Sequence, residues 1–368
     1  MKKRSSCAAL LLLGMTPFLY GGVGTWRNYT SMKDVAGVAR AGSTYWAATS
    51  GGLFSWSEAT ARFQTFTNAE GLQSTALSAV AIDEYGNIWA GTSTGIISVY
   101  TPSTGVFRTI TDIADNKTQT DKNINSFAMV GDTVLICTDF CLSVFRISLF
   151  QFGDTYSLFG SIPVNTKVSV FGASIHDGSI WASISDGQTH FGVASASLSS
   201  PNLTQPAAWN LQALGLPTNV PKGLAVFRGT LYAGSSGGLY AYVQGAWDSL
   251  ALPPGRTVVD LSPTPGSLLV CTSAGEVFAV DSLNGITQIG APLPYTPTSI
   301  TGSAAGQPVV GCLAGGILSL QTGWTSHVPN GPSSNDFSDV AVDQDGIVWC
   351  ASGVSAGIWA VACRTPAV

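Results

Sequence analysis

The sequence predicts an all-β protein, a single β-propeller of eight four-stranded blades, with seven blades as the alternative. Three observations carry this expectation. A short apolar strand, a turn and a second strand ending in a small residue, a hydroxyl and glycines recur eight times, most clearly between Val80 and Ile96. The copies repeat roughly every 40–50 residues, the period at which strand-only units close into rings. Glycine reaches 42 of 368 residues, as many tight turns require, and charged residues are only 10%. The mean hydropathy of +0.28 then fits strands buried on both faces, because beyond the N-terminus no apolar run approaches the ~20 residues of a spanning helix.

Taken in order, inner strands are expected at residues 35–39, 77–82, 124–129, 168–175, 223–227, 257–261, 298–302 and 337–342. Turns follow them, often with aspartate and glycine as at Asp83 to Gly86, residue types that supply side-chain capping and positive φ. Second strands carry an aromatic and then the small–hydroxyl–glycine ending, as in Trp46, Thr49 and Gly52, or Trp89, Gly91, Thr92 and Gly95. The aromatic column of Trp46, Trp89, Trp181, Tyr232 and Trp349 recurs in register, which reads as packing between neighbouring blades. Outer strands open with Phe63, Phe107, Trp209, Trp247 or Trp324. The last copy has a third strand near 357–362 and no outer one. Residues 25–31, with Trp26, resemble an outer strand and are expected to complete that last blade, leaving no open edge.

The first 24 residues read as a signal peptide. Lys2, Lys3 and Arg4 precede an apolar stretch from Cys7 to Leu19, and Gly22 and Gly24 offer a small-x-small cleavage site before Thr25. Residues 25–368 are then the propeller domain, with no membrane span in the mature chain. A net charge of −5 without a basic cluster excludes nucleic acid as a partner. Cys137 and Cys271 fall where other copies have Ala48, Gly91 and Gly234, and Cys312 joins that column when Gly315-Gly316 is aligned with Gly51-Gly52. Small buried thiols and a Cys137–Cys141 disulfide are both compatible with this spacing.

Catalytic constellations are scarce. No pair of facing carboxylates suits glycoside hydrolysis, because the aspartates recur at one turn position. Asp343-Gln344-Asp345-Gly346 lacks the downstream glutamate of a calcium loop, and the paired glycines precede no helix and so cradle no phosphate. The one candidate metal or acid–base set is His176, Asp186 and His190. No catalytic residue and no cofactor is assigned.

Asp83, Gly86, Ile88, Trp89, Gly91, Thr92 and Gly95 resemble the two-component-regulator propeller repeat. Residues 24–185 are more specifically similar to the first β-propeller of PorZ-type proteins of the type IX secretion system, through Gly24-Thr25-Trp26-Arg27, Trp46 to Phe54, Gly71-Leu72 and Asn123-Ile124-Asn125. The resemblance implies an exported protein in the periplasm or at the cell surface of a Gram-negative, Bacteroidetes-like bacterium. The second propeller and C-terminal sorting domain of PorZ-like proteins lie outside the single ring read here. The expected function is a non-enzymatic binding or scaffold module for a protein or glycan partner at the envelope. The alternatives are a lyase or hydrolase with its site at the channel mouth, and an extracytoplasmic sensor-type propeller.

Overall fold

A computed structural model describes residues 28–189, 191–212, 216, 221–344, 348–352 and 359–363. The expected signal peptide and Trp26 lie outside the described residues. Seven four-stranded antiparallel sheets follow one another in chain order, at residues 35–66, 77–110, 124–156, 169–212, 221–249, 258–288 and 297–327, and a three-stranded sheet comes last. The seven sheets are the blades of a closed propeller. In each, the inner strand lines the axis. These strands are Val35–Ala41, Leu77–Ile82, Ile124–Val130, Ser169–His176, Pro221–Phe227, Val258–Pro263 and Pro297–Gly302.

The ring closes at seven, which corrects the expected eight. Blade 7 lies directly against blade 1: Met32, Val35, Val38, Tyr45, Phe54 and Trp56 form one buried cluster with Val309 and Ile317. Thr298 Oγ1 donates to Val35 O at 2.7 Å, and the ring of His327 stacks on Trp56 at 3.7 Å between centroids. The outer strand of blade 7 is the chain's own Trp324–His327, so no N-terminal strand completes it. Residues 28–34 instead run without strand pairing across this junction, where Gly316 N donates to Lys33 O at 2.8 Å.

The inner strands of the seven blades share a feature that ties each to its neighbour. Each of the seven ring strands carries one extra residue, a β-bulge: Ala36, Ser78, Asn125, Phe171, Lys222, Val259 and Thr298. A bulge bends a strand and sharpens its twist. Here it also presents side chains to the next blade. Ser78 Oγ donates to Ile124 O at 2.8 Å, Asn125 Nδ2 to Val170 O at 2.9 Å and Thr298 Oγ1 to Val35 O at 2.7 Å. In all three the acceptor precedes the neighbour's bulge, so the 7–1 junction is built like the 2–3 and 3–4 junctions. In the eighth copy Asp339–Val342 pairs with Val348–Ser352, and Ser338, the residue aligned with the bulges, donates through its N and its Oγ to Ala351 O of its own hairpin at 2.8 and 3.1 Å. It keeps the local motif, Trp349 Nε1 donating to Asp343 Oδ2 at 2.8 Å, yet Val340, Val342 and Trp349 are exposed.

Removing residues 337–368 is therefore expected to leave the ring folded, with a melting temperature within about 2 °C of the full chain. A fall of more than about 8 °C, over 2 kcal/mol for a domain this size, in calorimetry of the truncated protein would contradict closure at seven.

The hydroxyl of the repeat caps the turn between second and third strands. Thr49 Oγ1 donates to Gly52 O at 2.7 Å and accepts from Gly51 N at 3.1 Å, and Thr138 does the same with Cys141 O and N at 3.0 Å each. Cys312 pairs with Pro297 as Thr49 does with Val35, so it occupies this hydroxyl column and Gly311 the small-residue column, not the reverse. Cys137, Cys141, Cys271 and Cys312 are all buried free thiols, which removes the Cys137–Cys141 disulfide reading.

Candidate functional site: the central channel

The turns between second and third strands and the connections between blades emerge on one face, and the first-to-second-strand turns on the opposite face. Between them the inner strands enclose a lumen of about 300 Å³ to which all seven blades contribute. Every lining strand runs from the loop-bearing face, so the bulge residues ring the mouth on that side. Three of them are committed to the wall by the hydrogen bonds just described. Two others form a pair: the Lys222 ammonium sits 5.2 Å above the ring of Phe171, a cation–π arrangement.

One step deeper, the residue after each bulge points at the neighbouring inner strand, and there the ring carries Gly37, Ala79, Ser126, Gly172, Gly223, Asp260 and Ser299. Six are small and uncharged. Asp260 is the exception. Its Oδ2 accepts from Ile300 N of blade 7 at 2.9 Å and its Oδ1 from Leu261 N at 2.8 Å. Burial pushes its carboxyl up to about 6, against these two backbone donors, which pull it down.

That shift has a definite sign. A folded-state value above the ordinary 3.8 means the native protein binds the proton more tightly than the unfolded chain. The contribution of this one group to stability is therefore full below pH 3.8 and is lost as pH rises from there through about 6. Two units correspond to at most about 3 kcal/mol, reduced by lumen water. Asp260→Asn is expected to abolish this slope, the gain from removing the charge being offset by about 1–3 kcal/mol because one of the Leu261 and Ile300 N–H groups loses its acceptor. Urea unfolding of both proteins at pH 4.5 and pH 8 checks it; a parallel pH response would refute the assignment.

The sequence-selected residues divide between scaffold and surface. Asp83 organises its turn, Oδ1 accepting from Tyr85 N and Asn87 N at 3.0 and 2.9 Å and Oδ2 from Trp89 Nε1 at 2.9 Å. Gly86 and Gly95 have φ of 81° and 85° and Gly52 of 130°, conformations only glycine adopts freely. Thr92 caps its turn by accepting from Ile96 N at 2.9 Å. Trp46 packs with Phe66 and Tyr100, between blades 1 and 2. Of the metal or acid–base set, His190 lies outside the described residues. His176 and Asp186 are not brought together: His176 pairs with Ser179 at one end of the strand Ser179–Ser185, and Asp186 follows its other end. Among the described residues no group of three or more metal-ligating side chains occurs, and none of their helices is long and apolar enough to cross a membrane. The buried thiols are pushed up, Cys137 and Cys312 to about 12 and Cys271 well above its ordinary range, so none is a ready nucleophile.

Residues 45–210 match the family described as the N-terminal β-propeller domain of PorZ of the type IX secretion system. The resemblance read from Trp46 to Phe54 and Asn123 to Asn125 is thereby shown for that stretch. Three solved structures share the fold. PorZ, an essential bacterial surface component of the type IX secretion system of Porphyromonas gingivalis, superposes with a TM-score of 0.73 at 20% identity over 90% of this chain and 43% of its own. The extracellular domain of a hybrid two-component system from B. thetaiotaomicron gives 0.61 at 15% identity, over 88% of this chain and 50% of its own. That of a one-component system from the same species gives 0.59 at 16%, over 92% and 47%. The chain thus spans half or less of each of these relatives. Among curated proteins none matches the sequence.

Proposed function

We propose that this chain is an exported, non-enzymatic propeller that holds a protein partner at the cell envelope, in association with type IX secretion. The observation that carries this reading is how the channel spends its polar groups. The hydroxyls and amide of Ser78, Asn125 and Thr298 brace the next blade, and no acid faces a base across the lumen among the described residues. A rigid ring whose variable loops share one face is a recognition platform. The PorZ-type stretch and the extracellular location of the sensor-type relatives support an envelope setting.

The loop-bearing face carries Lys33, Lys117, Lys122, Lys167 and Lys222, all on connections between blades or at the start of an inner strand. Lysine-directed cross-linking of the intact protein in the envelope of the producing bacterium is expected to join one recurring partner to this group. Recovery of no recurring partner, together with lyase or hydrolase turnover on a polysaccharide panel, would replace the reading with the enzymatic one.

A further inference from the structure

We propose that the channel holds a cation at Asp260, and that the fitting cation is a primary ammonium on an extended stem, as on a lysine side chain of a protein partner. This rests on the binding-module reading and gives it a site. Asp260 is the one charged residue in a ring of seven equivalent positions, and it lines the lumen of about 300 Å³. Each carboxylate oxygen accepts a single backbone N–H, from Leu261 and from Ile300, whereas an ionised carboxylate offers about four acceptor positions. Among the described residues no lysine, arginine or histidine pairs with it. A carboxylate half withdrawn from water and without a counter-charge is costly, and a ligand cation removes that cost.

Ser299, on the strand that holds Ile300, lines the same lumen, but its hydroxyl lies inside the wall, where a Cβ on Gly311 would stand 2.6 Å from it, so the carboxylate carries the site. An ammonium brings three donors and one positive charge, which the unfilled acceptor positions of the Asp260 carboxylate match. Calcium needs six to eight oxygens, and the described residues supply no cluster of ligating side chains. The net charge of −5 favours a cationic ligand at long range.

The test is saturation-transfer NMR on the whole protein with Nα-acetyl-lysine methylamide, with the norleucine analogue and calcium chloride as controls. Transfer to the ε-methylene of the lysine probe is expected, falling at least fivefold in Asp260→Asn and absent for norleucine. Asp260→Ser, which copies the residue used at positions 126 and 299, gives a second uncharged variant with the same expected loss. Equal transfer in the variants, or a response to calcium alone, overturns the proposal. Cross-linking separates this site from the broader reading: a partner captured equally by the parent and by Asp260→Asn overturns the channel site and leaves the binding module standing.

Discussion

Trp89→Ala is expected to destabilise the protein by about 4–5 kcal/mol, near the top of the range for emptying a core aromatic site. Trp89 is fully buried, edge-on to Phe145 at 5.2 Å and to Phe127 at 6.2 Å in blade 3. Its loss opens the junction between blades 2 and 3. It also removes the indole donor from the Asp83 carboxylate, itself buried at 5% exposure, whose Oδ2 keeps the Asn87 Nδ2 donor at 2.9 Å; the lost bond adds about 1 kcal/mol. The eighth copy supplies an internal control. Trp349 makes the same bond to Asp343 but is 42% exposed, so Trp349→Ala is expected to cost less than about 1 kcal/mol, as surface changes do. Urea unfolding of the two variants measures both. Equal costs would mean that the last copy is covered by a neighbouring blade, and the seven-blade closure would be wrong.

That contrast also shows how far the sequence could be read. Eight copies of the strand–turn–strand motif are present, and the Asp–Trp bond forms in the last as in the second. The motif is a local device, so it reports that a hairpin forms and leaves open whether the hairpin has joined the ring. Membership is set by contacts between blades, such as those the bulge residues make, and no spacing within one strand displays them. The bulge residues Ser78, Asn125 and Thr298 have nothing in common but a donor. Blade 7 takes Trp324–His327 as its outer strand, and of the expected N-terminal strand residues 28–31 run without strand pairing while 25–27 lie outside the described residues. Asp260 was legible in principle. Stacking the inner strands places it in a column of glycine, alanine and serine, but only after the bulge is counted does residue 260 align with Gly223 and Ser299. Cys312 is displaced by one position for another reason: its turn to Gly316 is one residue longer than that from Thr49 to Gly52, so aligning on the glycines shifts it out of the hydroxyl column.

The second large effect is expected from Gly234→Val, about 3 kcal/mol or more. A Cβ at Gly234 would stand 2.4 Å from Val258 Cγ1 and 2.7 Å from Leu261 Cδ2 across the 5–6 junction, and overfilling a packed site forces backbone or rotamer shifts of this cost. The collision follows a rule of the ring. The residue before each bulge is a knob that enters the small-residue column of the preceding blade: Ile124 at Gly91 (2.6 Å), Val258 at Gly234 and Val35 at Gly311 (2.6 Å). If so, trimming the knob should relieve the clash. Val258→Ala alone empties part of the site and costs about 2 kcal/mol, yet combined with Gly234→Val it should restore stability, a favourable coupling of about 2–3 kcal/mol in a double-mutant cycle. The same cycle at Gly311 and Val35 spans the ring's closure. Those residues are neighbours only when blade 1 follows blade 7 without an intervening blade. Because Ser299 Oγ also stands 2.6 Å from a Cβ at Gly311, the cycle is measured in a Ser299→Gly background. Additive costs there, beside strong coupling at Gly234 and Val258, would show that the ring had closed some other way.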